Sequence, residues 1–337
     1  MSKLKNSLDF TLKRKRVPFA LLIAFIIFLF ILPQFGGDYA LYLVMRILMF
    51  CLLALSVNLL LGYTGLLSFG QAAFYAIGAY ACALILMGME SPSLFAGLFG
   101  ALAIVAVASL ILGFFCLRHT DIYFAMITLC FGMMIYALAE KWISVTGGDD
   151  GLMGIPRAPL AIPHLFSLNM APLGNYYYFV LILSLIAIFV FYRIIHSPLG
   201  LSFQGIRDSE SRVSFTGISV KNTRLLCYVI AGLYAGLAGA LFAPMEQTLT
   251  PGVSHWGTST EPIIAVLIGG MSFAGPLVGS VIFFLVKDII LRYTIYWMLP
   301  LGIIVVILVM TLRGGVMGTL ERGLLPWMRS RFSGRED

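Results

Sequence analysis

The chain reads as long apolar blocks punctuated by short polar interruptions, and block length predicts the elements. The blocks run from Val17 to Leu32, Tyr39 to Leu61, Gly70 to Met87, Leu94 to Leu117, Ile122 to Lys141, Tyr176 to Ile195, Leu225 to Pro244, Pro262 to Gly270, Pro276 to Ile290 and Trp297 to Leu312. One crossing of a bilayer takes about 20 apolar residues, and only helices or closed barrels satisfy their backbone there. The pattern therefore predicts an all-α, multi-pass membrane protein with roughly 8–10 membrane helices. The block from Pro262 to Gly270 is too short to cross alone, so it must either enter and return or pair with its successor as two crossings. Two interruptions stand out. "GYTGLLSFGQ", Gly62 to Gln71, breaks a hydrophobic stretch that reaches from Tyr39 to about Met89, and "IGGMSFAGPLVGS", Ile268 to Ser280, does the same late in the chain.

Composition agrees with the pattern. Of 337 residues, 60% are hydrophobic and 11% charged, and the mean hydropathy is +0.98, well beyond ordinary soluble domains. Little chain is left for a second, soluble domain, so residues 1–337 read as one transmembrane unit with short basic tails at both ends. The net charge of +7 does not form a basic face on a soluble module, which excludes a nucleic-acid partner. Instead Lys13, Arg14, Lys15 and Arg16 precede the first block, and Arg322, Arg329, Arg331 and Arg335 follow the last. That flanking pattern places both ends in the cytoplasm. The loop with Arg193, Arg207, Arg212, Lys221 and Arg224 then falls inside, and the long connection from Ser144 to Asn175, with Arg157 as its one basic residue, falls outside. The first block is long for a signal peptide and no small-residue cleavage site follows it, so it is expected to be a retained span. Cys51, Cys82, Cys116, Cys130 and Cys227 all lie inside apolar blocks, as small hydrophobes rather than a disulfide frame or metal site.

A broken helix exposes backbone donors and acceptors that lipid cannot satisfy. Around the first break, Tyr63, Thr64, Ser68 and Gln71 are candidates to cap those groups or to face a permeating solute; Ser272 is their counterpart in the second. Gly62, Gly65 and Gly70, then Gly269, Gly270, Gly275 and Pro276, are the break residues, with Pro276 suited to a helix first turn. The same glycines also suit close helix packing, and the sequence leaves both uses open. "GLLSFG" and "GGMSFA" resemble each other across the two halves, and paired interruptions of this kind point to a transporter's binding region.

Charges near the membrane are few. Glu140 with Lys141 and Lys287 with Asp288 sit near block ends, where snorkelling is favoured over a proton relay; Arg46 lies deeper and stands equally open to snorkelling and to function. Catalysis fits poorly: Ser68 has no membrane-depth histidine or lysine as a base, and no G-x-x-x-x-G-K-[ST] occurs for binding ATP. The segment from Ser197 to Arg224 predicts a short polar helix near Arg207 to Phe215, closed by Gly217, and reads either as a docking element or as a solvated loop.

Six segments, in order, carry a family resemblance: "NLLLGYTGLLSFGQAAFYAIGAY" from Asn58, "IYFAMITL" from Ile122, "TGGDDGLMGIP" from Thr146, "GIRDSE" from Gly205, "AGLAGALFAP" from Ala235 and "IGGMSFAGPLVGS" from Ile268. Together they resemble the permease subunits of branched-chain amino acid ABC importers, of the LivM type. The resemblance implies a type II ABC importer-like fold in the bacterial inner membrane that translocates leucine, isoleucine or valine. It also implies a second, homologous permease subunit, two cytoplasmic ATP-binding subunits and an external substrate-binding protein, with no cofactor and no catalytic residue on this chain. By the same match the loop at 197–224 is the coupling loop, with Arg207, Asp208, Glu210 and Gly217 as ATPase-contact candidates; Leu201 departs from the family, which often has a basic residue there. Import of urea or short amides, and an ion-coupled carrier, are the competing expectations.

Overall fold

Apolar blocks of this length can fold only with their backbone groups satisfied internally, and a computed structural model shows how they do. It describes residues 27–319 apart from 36, 120, 163–165, 295, 297, 312 and 313. Most of the expected first span and both basic tails lie outside the described residues, whose first helical segment covers 27–35. The helices that follow are α1 (Asp38–Asn58), α2 (Gln71–Gly88), α3 (Leu94–Cys116), α4 (Asp121–Lys141), α5 (Leu173–Ile195), α6 (Pro198–Asp208), α7 (Glu210–Phe215), α8 (Val220–Glu246), α9 (Trp256–Gly269), α10 (Gly275–Tyr293) and α11 (Met298–Thr311). Among the described residues six helical stretches are long and apolar enough to cross a membrane, α1 with its extension being one.

The centre of the molecule is α8, and the reason is its small-residue face. Gly232, Gly236 and Gly239 turn toward α2 and α3, so that a Cβ at Gly236 would lie 2.6 Å from Val105 and one at Gly239 would overlap the Tyr75 carbonyl. Without a hydrophobic drive between helices in lipid, such close backbone approach is what gains dispersion contact. Burial follows: α2 and α8 are mostly enclosed, while α3, α4 and α5 turn most of their surface outward. Buried tyrosines tie the remaining helices on by donating to carbonyls, Tyr176 to Leu241 at 2.6 Å, Tyr177 to Leu29 at 2.8 Å and Tyr234 to Ala187 at 2.8 Å.

The short block resolves as half of a helical hairpin. Helix α9 begins at Trp256, six residues before the expected Pro262, and carries that proline inside. At 14 residues it reaches about 21 Å, short of a hydrocarbon core of about 30 Å. Helix α10 runs back against it, with Gly269 close to Gly275 and Gly279 close to Ala265, and Pro276 stands in its first turn as expected. The connections separate into two ends. At one, Leu152–Met153 pairs antiparallel with Thr248–Leu249, Ile155 N–H donates to Gln247 at 3.1 Å, and Arg157 donates to the Pro244 and Met245 carbonyls. At the other, α6 meets the two helix breaks. Strand Leu160–Ile162 pairs with Phe166–Leu168 within the first of these connections.

Candidate functional site

The first break is built in two steps. Helix α1 passes at Asn58 into a π-helical turn, Leu59–Thr64, which ends at Gly65 in the left-handed region, φ 74°. Only glycine takes that conformation without strain, and α2 restarts at Gln71. A π turn adds a residue per turn and is common at functional sites. The freed donors are met by side chains from other helices: Phe69 N–H donates to Thr128 Oγ1 of α4 at 3.2 Å, and Ala72 N–H to Ser259 Oγ of α9 at 2.9 Å. Locally, Gly70 N–H donates to Ser68 Oγ at 3.3 Å.

The candidate side chains of the sequence fall as follows. Tyr63, Thr64, Ser68 and Gln71 are all buried. Thr64 Oγ1 donates to Leu60 O at 2.7 Å, Ser68 caps within the break, and Tyr63 stacks edge-on to Phe191. Ser56 Oγ approaches Gln71 Oε1 at 3.2 Å. Asn58, which sequence reasoning passed over, reaches the second break: its Nδ2 donates to Ser272 O at 3.4 Å. The second break itself turns on Gly270, φ 102°, and a Cβ at Gly62 would lie 3.3 Å from Met271 O. The two interruptions, joined by residues 214 apart in the chain, are thus one junction. Asn58 Oδ1, Gln71 Nε2 and Ser272 Oγ are buried there without a hydrogen-bond partner, each a costly group of the kind that marks a strained or functional place.

The loop at 197–224 joins the same junction. Its expected single helix is two, α6 and α7, parted at Ser209, which is extended at φ −166° and ψ 107°. The break turns the chain so that Arg207 lies over the first interruption: its Nη1 donates to Gly62 O, and its Nη2 lies 3.9 Å from Met271 Sδ. Of the other loop candidates, Glu210 holds Arg224 bidentately at 2.9 and 3.0 Å, while Asp208 and Gly217 are exposed, the latter at φ 83°.

A second feature lies toward the opposite end, between α1, α8, α9 and α10. A cavity of about 390 Å³ is lined by Tyr39, Tyr42, Arg46, Glu261, Lys287 and Asp288 over an apolar floor that includes Phe50, Leu53 and Phe284. Arg46 donates through Nε at 3.0 Å and through Nη2 to Glu246 Oε1. Lys287 pairs with Glu261 at 2.7 Å, and Asp288 accepts from Tyr39 at 2.6 Å and from Arg292 at 2.9 Å. Arg46 and Lys287 therefore do not merely snorkel; each is held by a carboxylate from another helix. Glu246 and Glu261 escaped sequence reasoning because each lies at the end of a block and acquires a partner only through the fold.

Comparison with known proteins adds family to this geometry. The family model described as "Branched-chain amino acid transport system / permease component" matches residues 39–317. The high-affinity branched-chain amino acid transport system permease protein LivM of Escherichia coli (strain K12) is 28% identical over 96% of this chain and 77% of its own length. LivH of the same strain is 24% identical over 69% of this chain and 79% of its own. LsrC of Enterobacter sp. (strain 638), an autoinducer 2 import system permease protein, is 27% identical over 60% of this chain and 57% of its own. No solved structure matches the chain.

Proposed function

The chain belongs to the family of branched-chain amino acid transport system permease components, and from that membership we propose a division of labour between its two ends. It is a permease subunit of a branched-chain amino acid importer of the ATP-binding cassette class, seated in the inner membrane by all-α spans. Family membership implies a second permease, ATP-binding subunits and a substrate-binding protein as partners. In our reading the partners are one LivH-like permease, two ATPases on the cytoplasmic face and one binding protein outside. The binding protein docks on the end formed by the 142–172 and 247–255 connections, and the ATPases grip α6 and α7, with Asp208 the exposed acidic contact. Which solute is carried is set largely by the binding protein; a relative named for autoinducer 2 import supports that view.

The observation that carries the reading is Arg207. A loop with no apolar span of its own places one guanidinium on the Gly62 carbonyl of the first break and beside Met271 of the second. Force applied to α6 by ATPase closure then reaches both interruptions through one side chain. The π turn and the left-handed glycines are where the backbone yields at least cost, because they lack the continuous i→i−4 ladder. Asn58 Oδ1, Gln71 Nε2 and Ser272 Oγ supply polar groups that the shifted arrangement, or the passing solute, can use. A weakly binding polar lining lets a solute both enter and leave.

The test is reconstitution. The four-part transporter with binding protein should take up leucine with ATP in proteoliposomes, and this chain alone with an ion gradient should not. Arg207→Ala should leave ATPase activity within about twofold while uptake falls about tenfold, a barrier raised by about 1.4 kcal/mol. Uptake by the isolated chain, or equal uptake by the variant, would reject the reading.

A further inference from the structure

The 390 Å³ cavity between α1, α8, α9 and α10 is lined like a receptor for a zwitterion. Its charges balance: Arg46 and Lys287 face Glu261 and Asp288, with Glu246 and Arg292 completing the pairs from the edge. Ionisable residues within membrane spans are costly and mark function by default, and here two pairs, Arg46–Glu246 and Lys287–Glu261, gather around one space, with the exposed Asp288–Arg292 pair at its rim. Arg46 keeps 42% of its side-chain surface open while bound to Glu246, whose own side chain is 17% exposed, and Lys287 and Glu261 keep 20% and 24%. These groups are paired and still reachable. Beside them the wall is aromatic and aliphatic, Phe50 stacking on Phe283 at 5.2 Å and meeting Phe284 edge-on at 4.9 Å. The volume lies within the range of about 300–1,000 Å³ usual for small-molecule sites.

We propose that this cavity is a transit site for a free α-amino acid with an apolar side chain, on the permease itself. The carboxylate takes the planar fork of Arg46, which matches a carboxylate bidentately. The ammonium takes Glu261, and the side chain lies over Phe50, Leu53 and Phe284. Each solute charge displaces a partner already present, and the cost of leaving the Glu246 carboxylate and the Lys287 ammonium to solvent offsets most of what the new pairs contribute. The net gain is therefore small, and a site that must release its cargo inward needs that weakness. The proposal rests on the transport reading above and adds a permease-borne recognition step for the two charged groups that every such solute shares.

Thiol protection tests it in the complete transporter without binding protein, in nanodiscs, with Thr258→Cys as reporter on the cavity wall and Cys130, the exposed native cysteine among the described residues, changed to Ser. At about 10 mM, L-leucine in a millimolar site would fill about nine-tenths of it and slow labelling about tenfold. Leucinamide, which lacks the carboxylate, and 4-methylpentanoate, which lacks the ammonium, should each protect less than about twofold. Arg46→Gln and Glu261→Gln should each abolish protection by leucine. The analogue comparison needs no charge substitution, so a variant that fails to assemble leaves the result readable. No protection by leucine, or equal protection by all three compounds, overturns the site even while the transporter takes up leucine. Protection without uptake keeps the site and overturns the transport reading.

Discussion

A methyl group added at Gly239 would overlap the carbonyl of Tyr75, and one added at Gly78 would overlap Gly236. At these positions the missing side chain is what lets α2 and α8 touch along their backbones. Gly174, by contrast, has nothing within 4 Å of a built Cβ. Gly239→Leu should therefore lower the melting temperature of the purified protein sharply, at a cost of about 3 kcal/mol or more from overpacking, while Gly174→Ala should change it little. Equal melting of the two variants would show that the α2–α8 seam is not close-packed. Gly65 is a third case, since its cost is conformational: at φ 74° an alanine is strained, by about 1 kcal/mol, and also meets Arg207 Cγ at 3.3 Å. The glycines that the sequence left open to both uses thus divide: Gly269 and Gly275 pack backbone against backbone, and Gly65 and Gly270 turn the chain.

At the scale of elements, the break from Gly62 to Gln71 is held less by its own residues than by borrowed ones. Thr128 of α4 and Ser259 of α9 satisfy the Phe69 and Ala72 donors, so the start of α2 depends on two helices remote in sequence. Removing either oxygen leaves a buried N–H unmet, worth about 1–3 kcal/mol. Thr128→Val and Ser259→Ala should each speed amide exchange across residues 66–75 at least about fivefold, with α5, which packs mainly on α1, unchanged as internal control; unchanged exchange would mean that other groups hold the break. The positions of the spans were legible because block length alone decides them, and α2 to α5 begin and end within a few residues of expectation. The split of the 197–224 loop at Ser209 was missed although its signal was present: Ser209 is an N-cap residue with the acidic Glu210 directly after it, and its extended conformation ends α6 and starts α7.

At the scale of the whole molecule, the fold groups its connections into two chemically different ends, and that grouping is what turns a list of helices into a directional path. One end holds Arg118, Arg193, Arg207, Arg212, Lys221 and Arg224 against Asp208 and Glu210; the other holds the 152–153 and 248–249 pairing with Glu140, Asp149, Asp150, Glu246 and Glu261 nearby, against Lys141, Arg157, Arg46 and Lys287. The junction of the breaks belongs to the first end through Arg207, and the ion-paired cavity lies toward the second through α9 and α10. Motif likeness hinted at the junction, since the two interruptions look alike. The cavity left no such hint, because Arg46 and Glu246 stand 200 residues apart and neither is unusual until the fold joins them. The excess of basic residues assigns the first end to the cytoplasm by the positive-inside rule, and the hairpin of α9 and α10, whether two crossings or an entry and return, leaves that assignment unchanged because the chain comes back to the side it left. Cysteines at Phe215 on α7 and at Met153 in the pairing strand, both exposed at 89% and 68%, should then react from opposite sides. In right-side-out vesicles an impermeant thiol reagent should label Met153→Cys and spare Phe215→Cys, and inside-out vesicles should reverse the result. Labelling of both from one side would mean that α5, the one span between the two positions, does not cross, placing the 152–153 pairing and α7 on the same face and removing the directional path.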